Sequence, residues 1–183
     1  MQFFLKLKSW QMFCILVALP FVGQFFVDPF SLAANGANVN EIFLIGGFIV
    51  YLSMIIVLIW LWVLGTQLNH FVSEEFRSSP KLFKVATIYP AFYAILFELL
   101  FFTQINNPSL NWIPLLICPF HLLALFSILY SFYFISKNLV LAEKDAKVKM
   151  EEIIGPFLAL LFFPVGVWFI QPRINILYKQ NTT

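Results

Sequence analysis

The chain has 183 residues, of which 61% are hydrophobic and 11% charged. A soluble domain carries about 25% charged residues, and a water-soluble fold of this length has no interior large enough to hide the excess apolar surface. The net charge of +2 comes from basic residues scattered at the ends of apolar runs, which argues against a nucleic-acid-binding patch.

Five apolar runs approach the roughly 17–25 residues that a helix needs to cross about 30 Å of hydrocarbon: residues 10–27, 42–66, 85–103, 112–135 and 153–170. Only short connections remain. The expectation is a single all-α integral membrane domain over residues 1–183, with four transmembrane helices plus a fifth apolar segment. Lys6 and Lys8 precede the first run, and Ser31-Leu32-Ala33 imitates a cleavage site. The run is longer than the apolar core of a signal peptide, which favours a retained first helix.

The positive-inside rule places Lys6 and Lys8 in the cytoplasm, so the first helix runs outward to Asp28-Pro29. Residues 31–41 contain no Lys or Arg and suit the outer face. The second helix returns, with Trp60 and Trp62 in an interfacial belt. Residues 67–84 carry Arg77, Lys81 and Lys84 and read as cytoplasmic. Ser78-Ser79-Pro80 marks a turn that restarts a helix at Pro80. The third helix ends at Asn106-Asn107-Pro108, and the fourth comes back in. Lys137, Lys144, Lys147 and Lys149 follow, in a stretch without turn residues, so residues 137–152 are expected to be a cytoplasmic helical extension.

The fifth segment is anomalous. A straight crossing would put Arg173 and Lys179 outside, against the rule, whereas a reversal would leave all eleven Lys and Arg residues on one side. Pro164-Val165-Gly166 interrupts the run. A helix from Ile153 to Phe163 reaches about 16 Å, half the hydrocarbon depth. An extended return over residues 167–173, turning at Pro164 and Gly166, makes a re-entrant hairpin possible. A Pro-kinked fifth crossing and an interfacial helix are the other two readings. A re-entrant backbone must be covered by protein or water.

The tail Phe162-Phe163-Pro164-Val165-Gly166-Val167-Trp168-Phe169-Ile170-Gln171-Pro172-Arg173-Ile174-Asn175 resembles the C-terminal signature of a family of small uncharacterised bacterial multi-pass membrane proteins. The resemblance implies a bacterial inner membrane and carries no catalytic residue, substrate or cofactor.

Ionisable groups inside a bilayer are costly and usually face the bundle interior. Glu98 lies about 12 Å below the outer end of the third helix, and His121 about 14 Å below that of the fourth. On adjacent antiparallel helices the two share a depth, and Tyr51 and Gln24 fall near it. These four residues define a possible intramembrane polar cluster. It reads either as interhelical hydrogen bonding or as a binding or proton-relay site. Cys14 and Cys118 are too far apart for a disulfide and read as buried free thiols. His70 and Glu74, spaced i, i+4, supply two ligands and no third, so no metal site follows. The small-residue pairs Ser127/Ser131 and Gly155/Ala159 permit close helix approach.

No Walker A loop, nucleophile elbow or zinc-protease motif occurs. The expected function is therefore that of a non-catalytic accessory or scaffold subunit of a membrane complex. A small solute or proton conduit using Glu98 and His121 is the alternative, and an intramembrane enzyme using the same pair as acid and base is the third reading. The expected partners are the lipid bilayer and a protein in the membrane, with a peripheral protein or anionic headgroups at Lys144, Lys147 and Lys149.

Overall fold

The structure, a computed structural model, describes residues 3–19, 21–22, 36, 39–110 and 112–182. Among these residues every regular element is helical. Helix α1 (Phe3–Lys6) is followed by α2 (Ser9–Phe13), which runs into a π-turn over Cys14–Ala18. Then come α3 (Val39–Phe71), α4 (Lys81–Asn106), a 3-10 turn (Pro108–Leu110) and α5 (Ile113–Lys144). Helices α6 (Met150–Leu161) and α7 (Phe163–Thr182) complete the chain.

Three of these helices are long and apolar enough to cross a membrane: Gly47–Phe71 of α3, Lys81–Gln104 of α4 and the whole of α5. The apolar runs 42–66, 85–103 and 112–135 fall on them, each helix continuing past its run. Run 10–27 is helical through Ala18, and its portion from residue 23 onward lies outside the described residues.

One half of the bundle holds the larger core, and the other, splayed in the sense that it exposes more large apolar side chains, holds a smaller core of Tyr93, Ile113, Ile117 and Ala124 between α4 and α5. The main core gathers Leu61, Leu64, Leu68, Phe83, Phe134, Ile135 and Leu139 from the long helices, with Leu5, Met12, Leu160, Val167 and Ile170 from the short ones. Its centre is Phe83, fully buried and stacked on Phe134 with ring centroids 4.6 Å apart. A Cβ at position 65 would run into the Phe83 ring, so Gly65 makes the space that this ring fills. An uncharged polar contact joins α4 and α5 here, Thr87 and Ser131 sharing a hydrogen bond of 3.2 Å, while the Asn138 amide donates within α5 to the Phe134 carbonyl at 2.8 Å. In the other half, Phe92, Leu99, Leu115 and Phe126 are exposed, as lipid-facing residues are.

Helix α3 ends under Arg77, which folds back over it. Its Nε donates to the Asn69 and Val72 carbonyls, and Nη2 donates to those of His70 and Val72 at 3.1 and 2.9 Å. A guanidinium here satisfies orphan carbonyls and meets the negative end of the helix dipole. His70 and Glu74 therefore do not share a helix, because α3 stops at Phe71.

The stretch 137–152 is not one helix. It is helical to Lys144, turns at Asp145 in the left-handed region (φ 47°), and becomes helical again at Met150. The residues that lack turn propensity were outweighed by the tertiary contacts of α6, which doubles back along α5. Lys144 and Glu152 form an ion pair across that reversal.

The fifth apolar segment is two helices, not one. Pro164 has no N–H to donate to the Leu160 carbonyl, so α6 cannot continue through it. Phe162 serves both helices: its N–H bonds the Leu158 carbonyl at 3.0 Å, and its carbonyl accepts from Val165 and Gly166 at 3.0 and 2.9 Å. The break thus lies at Phe162, two residues before Pro164, and the return limb is α-helical where an extended one was expected. A helical return satisfies its own backbone groups, which extended chain does not. A Cβ at position 166 would collide with the Ala159 carbonyl, so the two limbs cross at a glycine. Replacing Gly166 with Ala is expected to cost about 1–3 kcal/mol in detergent-based unfolding. Gly155→Ala, which faces open space, is the silent control.

Candidate functional site

The polar residues of the splayed half are distributed by the faces of α4. Residues 93, 97 and 101 repeat every four positions, and their side chains lie on one stripe. Tyr89, Tyr93, Phe97 and Phe101 form a ladder of rings, with successive centroids 6.3, 6.0 and 5.7 Å apart. His121 of α5 meets this ladder. Its Nδ1 is hydrogen-bonded to the Tyr93 hydroxyl at 2.9 Å, its ring stands edge-on to Tyr93 at 5.6 Å, and Phe97 lies 6.3 Å away.

Glu98 is one residue beyond Phe97 and so is rotated about 100° around the helix. Its carboxyl group rests against Gly47 of α3, where a Cβ would strike Oε1. Among the described residues no hydrogen bond joins Glu98 to His121. The two share a level of the bundle but belong to different interfaces, Glu98 to α3–α4 and His121 to α4–α5. Tyr51 is half-buried one turn from Gly47, on the face of α3 that meets Glu98. Gln24 lies outside the described residues.

A groove of about 320 Å³ opens beside His121 between α4 and α5, lined by Tyr93, Phe97, Phe101, Ile117, Cys118 and His121, with Gln104 at its far end. Tyr93 carries no signal in a count of phenylalanines; its signal is the four-residue spacing that runs from Tyr89 to Phe101. Cys14 and Cys118 are both free, and both are exposed where burial was expected.

At the opposite end lies the hairpin of α6 and α7. Arg173 donates through Nε to Glu143 at 2.6 Å and through Nη2 to the other carboxylate oxygen, a two-point pair with the end of α5. This fixes Arg173 at the level where α5 ends and α6 begins. Two residues away on either side, Gln171 and Asn175 reach the chain's first turn. The Gln171 amide donates to the carbonyls of Phe4 (2.8 Å) and Leu7 (3.0 Å), and the Asn175 amide to that of Leu7 (3.1 Å). Gln171 is fully buried. The polar residues of the signature Gln171-Pro172-Arg173-Ile174-Asn175 thus hold the C-terminal helix to α1 and to α5.

Lys6 stands over the Tyr178 ring at 5.8 Å, Lys84 over Trp62 at 5.9 Å, and Lys137 donates to Ser78 at 3.4 Å. The remaining eight Lys and Arg residues stand at helix ends or in the connections beside them: Lys8 between α1 and α2, Arg77 and Lys81 between α3 and α4, Lys144, Lys147 and Lys149 at the α5–α6 reversal, and Arg173 and Lys179 on α7. Lys144, Lys147 and Lys149 are exposed.

Protein-family models, curated proteins and solved structures were compared with the chain, and none matches.

The Glu152 carboxyl group is held below the ordinary glutamate range, first by the Lys144 side chain and then by the Lys149 backbone N–H. A depressed folded-state value stabilises the α5–α6 reversal above the ordinary glutamate pKa of about 4.3, and the contribution disappears as pH falls through the depressed value. The protection of residues 145–152 against hydrogen exchange, each rate being referred to the intrinsic rate at the same pH, is therefore expected to fall as acidification passes below the ordinary glutamate range. In Glu152→Gln the lower protection is expected already at pH 7, with no further response to acid from this contact.

Proposed function

We propose that this protein is a non-catalytic, multi-pass subunit that scaffolds a membrane complex. In this reading the first apolar run and helices α3, α4 and α5 make four crossings. The α6–α7 hairpin enters from the cytoplasmic side and returns to it, and both described ends of the chain lie in the cytoplasm. The observation that carries the topology is the Arg173–Glu143 pair, which supports a reversal and leaves every Lys and Arg at one end. The C-terminal signature supports a bacterial inner membrane.

The packing supports a scaffold over a conduit. A path from His121 or Glu98 to the basic end would have to pass the Phe83–Phe134 stack and the apolar core around it. Exposed side chains on the hairpin, Ile154 and Leu158 on α6, Phe162 at the break, and Val165, Phe169 and Ile176 on α7, supply an apolar surface of the kind that lipid or a membrane partner covers. Lys144, Lys147 and Lys149 would sit against anionic headgroups or a peripheral partner.

Purification from native membranes in mild detergent tests the reading. A protein partner is expected to be retained in stoichiometric amount, and joint neutralisation of Lys144, Lys147 and Lys149 to Gln is expected to lower its recovery several-fold. Migration as a lone chain, with nothing retained, would overturn the scaffold. Glu98→Gln is expected to leave assembly and ion flux unchanged; a lost flux would instead favour the conduit.

A further inference from the structure

The groove at His121 combines an aromatic wall, a hydrogen-bonding group and an absence of charge. The wall is the Tyr93–Phe97–Phe101 stripe. The hydrogen-bonding group is the His121 imidazole, exposed in the groove, with Nδ1 taken by Tyr93. In the tautomer in which the Tyr93 hydroxyl donates to Nδ1, the ring proton sits on Nε2, the nitrogen left for a ligand. No Lys or Arg is among the described residues that line it, and Glu98 is turned to Gly47. Among the described residues that line the groove none carries a fixed charge, which suits a ligand that is itself uncharged.

Depth narrows the ligand further. His121 lies eight residues into α5, about 12 Å from that helix's start, and half the hydrocarbon thickness is about 15 Å. A donor at that depth has no water to meet, and leaving it unsatisfied is costly. The ester carbonyls of phospholipids lie at the headgroup boundary, too shallow to reach it. The acceptors that do travel near the bilayer centre are ring carbonyls of lipophilic molecules. The volume of about 320 Å³ is at the low end for ligand sites, enough for a single ring with its tail left in the bilayer.

We propose that the α4–α5 groove binds the head group of a membrane-soluble quinone. The ring lies against Phe97 in offset-stacked contact, one carbonyl oxygen accepts the His121 Nε2 proton, and the tail passes into lipid. Tyr93 is a positioning residue that holds the imidazole and sets its tautomer. The proposal concerns binding and is independent of the scaffold reading.

Equilibrium binding of a radiolabelled decyl-substituted benzoquinone to the full-length protein in phosphatidylcholine nanodiscs tests it. Saturable binding of one molecule per chain is expected. His121→Leu is expected to weaken it at least tenfold, and Tyr93→Phe several-fold. Cys118→Trp, which fills the groove from an exposed position, is expected to abolish it. Leu115→Trp, 81% exposed and outside the groove, is expected to bind as wild type does. Thermal unfolding establishes that each variant is folded; should His121→Leu fail to fold, Cys118→Trp and competition decide. Non-saturable partitioning, equal binding by His121→Leu, or equal displacement by decylcyclohexane, which lacks carbonyls, would each overturn the proposal. So would a Cys118 cross-link between two copies that the quinone does not compete away.

Discussion

The break between α1 and α2 leaves the carbonyls of Phe4 and Leu7 without helical partners, and the fold is organised around satisfying them. A buried carbonyl needs a donor. Here the donors are the amides of Gln171 and Asn175, at the other end of the sequence. With those residues fixed on α1, α7 has one direction available, and Arg173 meets Glu143. The reversal of α6 and α7 and the burial of Leu5 and Met12 follow from that attachment.

Close approach through glycine does the rest of the positioning. Gly65 admits Phe83 into the centre of the packed half, Gly47 receives the Glu98 carboxyl group in the splayed half, and Gly166 lets the two limbs of the hairpin cross at Ala159. At each of these places a methyl group would occupy space already filled. The larger core lies where the short and long helices converge, and the groove opens beside the smaller core that Tyr93 and Ile117 form between α4 and α5.

Helices α3, α4 and α5 were legible because a long apolar run is a direct consequence of crossing hydrocarbon. The break in the last apolar run was legible for an unrelated reason, the interruption at Pro164-Val165-Gly166. What linear reading did not give is azimuth. Rise along a helix placed Glu98 and His121 at one level, and His121 lies 6.3 Å from Phe97, the residue before Glu98. Which face each residue presents depends on the neighbour that packs there, and one step from Phe97 to Glu98 carries the side chain from α5 to α3. The helical return limb was hidden because Pro164 reads as a breaker in the middle of a segment, whereas it stands in the first turn of a new helix. The roles of Gln171 and Asn175 were hidden because their partners are backbone atoms some 165 residues away.

That separation imposes an order on biogenesis. Phe4 and Leu7 leave the ribosome well before the amides that bind their carbonyls, which follow roughly 10–30 s later at ordinary elongation rates. Throughout that interval the long helices are inserted while the opening segment waits unlatched at the membrane surface. Closure of the N-terminal turn onto α7 is a late event in assembly, and a chain that stalls before Gln171 would stay open at its beginning.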